Sequence, residues 1–197
     1  MECLLCIRRC FGMSGQTRYS LVKDQLIPKV ILDTTTMGND VVIVKRGHRI
    51  CGTGGAITTT PIVQNKAYFE VKVQQTGIWG VGLATTNANL SSVPLGVDSQ
   101  SWVLRQDGTV VTENQILHTF NEDIQESDII GVTYDHIELK FYIKNKSIDF
   151  AVNGVKGSEI YPVVYVDDGA ILDVNFTNFQ FDPPFGFDRI LVEKSLL

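Results

Sequence analysis

The feature that most limits how this chain can fold is a rhythm of short runs rich in β-branched and aromatic residues, each closed by turn residues. The clearest are VVIV (Val41 to Val44), AYFEVKVQ (Ala67 to Gln74), IWGVGLAT (Ile78 to Thr85), IIGVTY (Ile129 to Tyr134), IELKFYI (Ile137 to Ile143) and AILDVNF (Ala170 to Phe176). In YFEVKVQ, Phe69, Val71 and Val73 alternate with Glu70, Lys72 and Gln74, which is the period of a half-buried strand. The breaks CGTGGA, PLGVDSQ, RQDG, YDH and VDDG are turn and loop chemistry, with Asp135 in YDH placed as a hairpin-turn residue. The acidic stretch HTFNEDIQESD reads as an exposed connection or a single helical turn. Little room is left for long amphipathic helices, so the expected class is all-β, an antiparallel sandwich or barrel.

At 197 residues, 44% hydrophobic and 20% charged, the chain has the composition of a globular domain and the length for one core of ordinary size. No internal repeat or second domain is evident. The net charge of −5 is uneven: residues 1 to 30 hold Arg8, Arg9, Arg18, Lys23 and Lys29 against Glu2 and Asp24, which leaves the remainder strongly acidic. An acidic body argues against nucleic acid as a partner, because phosphate binding needs a basic face.

No stretch approaches the roughly 18 apolar residues of a membrane-spanning helix. The opening MECLLCIRRC is apolar only from Cys3 to Ile7, too short for a secretory core, so a cytoplasmic location is expected. In that setting the sequons at Asn89, Asn145 and Asn175 are chance matches.

Cys3, Cys6 and Cys10 crowd the start while Cys51 stands alone. No second Cys-x-x-Cys or close histidine pair completes a zinc site, and a reducing compartment argues against a disulfide framework. Thiols beside Leu4, Leu5, Ile7, Arg8 and Arg9 suit S-acylation at a membrane surface, with two chains, or one chain plus the basic residues, needed for stable anchoring. The other reading is a tail whose cysteines have no such role. Glu at position 2 excludes N-myristoylation.

Catalytic patterns are missing: there is no Gly-x-Ser-x-Gly, no phosphate loop ending in Gly-Lys-Ser/Thr, and no His-Glu-x-x-His. The glycines of CGTGGA are expected to make a tight turn, not a phosphate cradle. His48, His118 and His136 share no short spacing and read as surface side chains; Trp79 and Trp102 read as core aromatics. No catalytic residue, metal or cofactor is assigned. The adjacent carboxylates of YPVVYVDDGA, Asp167 and Asp168, are the one constellation that calls for an explanation.

Taken in order, KAYFEVKVQQTGIWGVGLAT, PLGVDSQSWVLRQDG, DIIGVTYDHIELKFYIKNKSI and IYPVVYVDDGAILDVNF resemble the SPRY domain, and VILDTTTMGNDVVIVKRGHRI is similar to the family's first strands. The resemblance spans residues 30–197 and leaves residues 1–29 as a cysteine-containing basic tail. It implies a bent two-sheet antiparallel sandwich of the concanavalin-like kind, serving as a non-enzymatic protein-interaction module. It also implies that Thr85 to Gly96 and Asp167 to Gly169 are interaction loops at one end of the sandwich, with Thr86, Asn87, Leu90, Val93, Asp167, Asp168 and Gly169 as candidate partner contacts.

Two departures from the family pattern stand out. In FYIKNKSI the usual Asn-Gly is missing, so Lys146 at the hairpin implies a longer or differently shaped turn. In the SOCS-box subfamily the position matching Asp168 holds a Trp that grips an Asp/Asn-rich peptide. A carboxylate there disfavours acidic peptides and favours a partner segment carrying Lys or Arg, or one that meets backbone around Gly169.

The alternative reading is a lectin-like carbohydrate-binding protein or glycosidase on a similar sandwich. A glycosidase needs carboxyl groups about 5–10 Å apart across the sugar. A lectin calcium site needs further oxygen ligands, for which Asn175 is the one additional candidate.

Overall fold

A computed structural model describes residues 29–192, and all the regular structure it describes is strand. In chain order the strands are β1 (Leu32–Met37), β2 (Asp40–Val44), β3 (Arg49–Thr58), β4 (Ala67–Gln75), β5 (Ile78–Ala84), β6 (Ser101–Arg105) and β7 (Thr109–Thr112). They continue with β8 (Gln115–Thr119), β9 (Ile129–Tyr134), β10 (Glu138–Ile143), β11 (Lys146–Asn153), β12 (Tyr161–Asp167), β13 (Ile171–Asn175) and the two-residue β14 (Asp188–Arg189). The tail cysteines Cys3, Cys6 and Cys10 lie outside the described residues.

One antiparallel sheet runs β1-β3-β12-β5-β6-β7-β8. The other runs β2-β3-β13-β4-β9-β10-β11, with β14 parallel to the start of β4. Strand β3 belongs to both: Arg49 and Ile50 pair with β13, whereas Gly54 to Ile57 pair with β12. The glycines of CGTGGA therefore sit inside a strand and not in a tight turn. Gly52 and Gly54, at φ +91° and +130°, give β3 the bend that carries it from one sheet to the other.

Period-two patterning builds the core between the sheets. Phe69, Val71 and Val73 of β4 meet Val81 and Leu83 of β5, Val164 and Val166 of β12, and Phe141 of β10, all within 2% of full burial. Each such side chain contributes about 1.5–3 kcal/mol by leaving water. Trp79 and Trp102 are core residues, as their strand context implies.

The alternate residues of β12, Val163 and Tyr165, point to a second cluster on the outer face of the first sheet. Ala88, Leu90 and Leu95 of the β5–β6 connection fold over that face and close it. Strand β12 is thus buried on both sides, which is why YPVVYV reads as one apolar run instead of an alternation.

The outward face of β4 also departs from the pattern. Glu70 is 1% exposed because the chain after β13 crosses it. Its carboxylate accepts hydrogen bonds from the Tyr68 hydroxyl at 3.0 Å and from the backbone N–H groups of Gln180 at 2.8 Å and Phe181 at 2.9 Å. Burial, reinforced by that carboxylate, pushes the Tyr68 phenol far above its ordinary range. Phe179 completes the cover, edge-on to Tyr68.

Asp135 caps the β9–β10 turn, accepting from the N–H groups of Ile137 at 3.0 Å and Glu138 at 2.8 Å. The β10–β11 hairpin is tighter than its sequence suggests. Ile143 pairs with Lys146, so Lys144 and Asn145, at φ 52° and 65°, form a two-residue turn and Lys146 opens β11. The register moved the strained positions one residue earlier than the missing Asn-Gly implied. His118 and Thr119 of HTFNEDIQESD end β8, and the rest is a mostly exposed connection without a helical turn, pinned by Ile124 in the core and by Ser127 N–H to the Val73 carbonyl at 2.7 Å.

Candidate functional site

Because β4 lies in one sheet and β5 in the other, Thr76 and Gly77 carry the chain across the end of the sandwich. Asp168 and Gly169 carry it back between β12 and β13. These two crossings pack on each other. A side chain carbon at Gly77 would come within 2.6 Å of the Asp168 carbonyl oxygen and 2.7 Å of the Ala170 nitrogen, so only glycine permits the approach. The return crossing is a β-turn closed by Ala170 N–H to the Asp167 carbonyl at 3.0 Å, with Asp168 at φ 47° and Gly169 at φ 77°. Positive φ at both central positions makes it type I′, for which Asp-Gly is a favoured pair.

The two carboxylates are set differently by this geometry. Asp167 is half-buried, and its Oδ1 accepts from the Thr53 hydroxyl at 2.9 Å, tying β12 to the bend in β3. Asp168 stands exposed on the turn. Ion pairing among the described residues joins Lys45 and Arg49 to Asp173, Lys140 to Glu138, and Lys144 to Asp128, leaving both members of the pair outside it. Asn175, the extra ligand of the calcium reading, lies far up β13, opposite Glu70, and donates to the Asn178 carbonyl at 2.9 Å. Among the described residues, no three His, Cys, Asp or Glu side chains gather as a metal site.

The second expected loop, Thr85 to Gly96, divides. Thr86 and Asn87 are exposed but sit just past Ala84, which pairs with Tyr161, whereas Asp167 pairs with Ile78 at the other end of the same strand pair. Six residues of strand put these ends about 20 Å apart. The loop tip then returns: the Leu90 carbonyl accepts from Gly55 N–H at 2.7 Å, one register step from Gly54, which pairs with Val166. Leu90 itself is buried in the second cluster, and Val93 packs against it half-buried. What the tip exposes beside the crossing is Asn89 and Ser91, the latter accepting from Asn39 N–H at 3.2 Å.

The crossing end thus assembles Asp168, Gly169, Asp167, Thr53, Asp40 and the Asn39–Ser91 contact, with Asp40 paired to Thr53 across β2 and β3. Thr53, Asp40 and Asn39 were not assigned to the site from sequence, and Ser91 entered only as part of the Asn89 sequon and the Thr85 to Gly96 loop. The signal that could have found them is the glycine pair flanking Thr53, which marks a place where backbones approach. A rigid turn presenting a carboxylate and backbone groups, bordered by hydroxyl and amide side chains, can recognise a cationic or hydrogen-bonding segment.

The chain matches the family model of the SPRY domain over residues 66–179. It is 48% identical over 195 residues to human SPRY domain-containing protein 7, an alignment covering 98% of this chain and 97% of that one. The mouse protein of the same name is likewise 48% identical, over 193 residues and 96% of its length. Among solved structures, the SPRY domain of human HERC1 superposes with TM-score 0.65 at 14% identity, over 77% of this chain and 99% of that domain. The TRIM65 PSpry domain does so with TM-score 0.61 at 12% identity, over 80% and 94%. At those identities the superpositions speak for the sandwich alone, and they agree with the sheets described above. Family model and full-length relatives together establish that this chain belongs to the SPRY-domain family.

Proposed function

We propose that the protein is a non-enzymatic cytoplasmic adaptor that docks a segment of a partner protein at the crossing end, with Asp168 and the backbone of Gly169 as its principal contacts. SPRY domains are protein-interaction modules, and the reading assigns that role here to a particular surface. One observation carries it: the Asp168–Gly169 turn is exposed while its backbone is held by the close approach of Gly77 and by Asp167 on Thr53. A turn fixed in this way gives a partner a preformed contact and little ordering cost. Asp40, Asp167 and Asp168 make the end acidic, so the partner segment carries Lys or Arg. We assign residues 30–197 to the interaction domain and residues 1–29 to a tail that holds it at membranes through S-acylation of Cys3, Cys6 and Cys10.

An array of extended peptides differing in the charge of one central residue, probed with the full-length protein, tests the docking role. Retention of Lys and Arg peptides, lost in Asp168→Arg, is the expected outcome. Equal retention of Asp and Glu peptides contradicts it. Hydroxylamine-sensitive acyl exchange tests the tail: a signal abolished by replacing the three cysteines supports acylation, and no signal, or one that survives their replacement, removes it.

A further inference from the structure

Among the described residues, the end of the sandwich opposite the crossing leaves large apolar side chains partly or wholly uncovered. Phe185 has 102% of its surface exposed, Ile137 70%, Val63 50% and Leu191 47%. They come from separate segments that hydrogen bonds gather in one place. The Gln64 side chain donates to the Arg189 carbonyl at 2.6 Å and accepts from Leu191 N–H at 2.8 Å, and its backbone carbonyl meets His136 Nε2 at 2.9 Å, beside Ile137. Lys66 lies 5.3 Å from the Phe187 ring centre, which brings in the Pro184–Phe187 turn, closed by Phe187 N–H to the Pro184 carbonyl at 2.9 Å, on which Phe185 stands.

The first described residue, Lys29, joins the fold at this same end. Its carbonyl accepts from the Thr59 hydroxyl, just past the Leu32–Thr58 pair, and Thr59 is five residues from Gln64. Twenty-eight residues precede it, with the three clustered cysteines at their far end.

We propose that this end is the face the protein turns to a lipid bilayer, with Phe185 and Ile137 entering the headgroup–acyl boundary. The inference rests on the proposed tail anchoring for its orientation and not for its contact. Three observations favour a bilayer over a protein occupant. Phe185 and Ile137 stand on turns of separate segments, with Val63 and Leu191 on two more, so the apolar groups are scattered tips that can enter a lipid boundary one by one, whereas a protein interface is built on a contiguous, packed apolar core. The clefts beside Lys45 and Lys72 and between His118 and Lys146 open elsewhere. A lipid anchor in the tail reaches the fold through Lys29, so of the two ends this is the one that needs the shorter tether to meet the membrane. Exposed Lys29, Lys66 and Arg189 are offset by Asp135, Asp182 and Asp188, so the contact is apolar and forms on neutral phosphatidylcholine.

The test uses the full chain in a Cys51→Ser background, coupled through its N-terminal thiols to maleimide-headgroup lipid in phosphatidylcholine vesicles, so that it does not depend on acylation in cells. A tryptophan is placed at Phe185, and, as the opposite-end control, at Gln75. Emission is read against the parent with and without dibrominated lipid. The expected result is that Phe185→Trp loses about half its added emission to the brominated chains while Gln75→Trp keeps its own. No quenching of either, or equal quenching of both, overturns the proposal. So does a Phe185→Trp emission already shifted to the blue before vesicles are added, which would mean that the tail or a second copy covers the patch. Loss of the hydroxylamine signal with Phe185→Trp quenching intact would sink the acylation reading and leave this one standing.

Discussion

The two ends of the sandwich are built on opposite plans. At the crossing end the backbone is fixed and the side chains that face solvent are polar: Gly77 leaves no room for a side chain against the Asp168 carbonyl, Asp167 holds Thr53, and Leu90 is buried. At the other end the apolar groups are outside and the backbone has room: a carbon added at Gly186 would meet nothing closer than the Lys66 side chain, at 3.6 Å. A surface whose geometry is fixed can discriminate between partners by charge and hydrogen bonding. A surface of loose apolar tips suits a partner that deforms around it.

The contrast is open to mutation. Leu90→Ala should cost about 2–4 kcal/mol in denaturant unfolding, because Leu90 seals the second core, whereas Phe185→Ala should stay within about 0.5 kcal/mol. Equal costs would erase the distinction. Gly77→Ala places a carbon against backbone at 2.6 Å in a positive-φ position and should cost about 2–3 kcal/mol, against about 1 kcal/mol for Gly186→Ala at φ +85°.

A smaller effect lies between the ends. Burial alone would raise the Asp173 carboxyl, but hydrogen bonds and charge from Arg49 and Lys45 outweigh it and hold the group below its ordinary value of 3.8. Its contribution to stability is therefore present above that value and is lost as pH falls through the depressed one. Asp173→Asn should flatten the acid limb of the stability curve, read as thermal midpoint between neutral and strongly acid pH, while leaving both ends folded. Smallest of all for stability is Asp168→Asn, within about 0.5 kcal/mol, since Asn tolerates the left-handed turn position.

Much of the fold was legible from the sequence because alternation and turn residues report local physics. Strand β9 matches IIGVTY residue for residue, and Asp135 caps the turn it was assigned to. The misreadings came where a third layer or a register intervened. Glu70 alternates outward yet is buried, because the chain near Phe179 to Phe181 crosses it. The glycines around Thr53 bend a strand because β3 serves two sheets. At the candidate site, the turn and its carboxylates could be read, but the division of Thr85 to Gly96 could not. The family resemblance groups Thr86, Asn87 and Leu90 in one interaction loop, while the structure sends Leu90 across the sheet face as packing and leaves Thr86 and Asn87 at the far end.

That division supplies the most direct test. Quantitative affinity capture from cytosol would compare the full-length protein with Asp167→Ala/Asp168→Ala and with Thr86→Ala/Asn87→Ala, each first shown to be folded by its thermal midpoint. The account predicts that the aspartate variant loses, by about tenfold or more, a partner whose binding segment carries Lys or Arg, and that the Thr86/Asn87 variant retains it. An unchanged partner list from the aspartate variant, or loss from the Thr86/Asn87 variant alone, would contradict the assignment of the interaction to the crossing end.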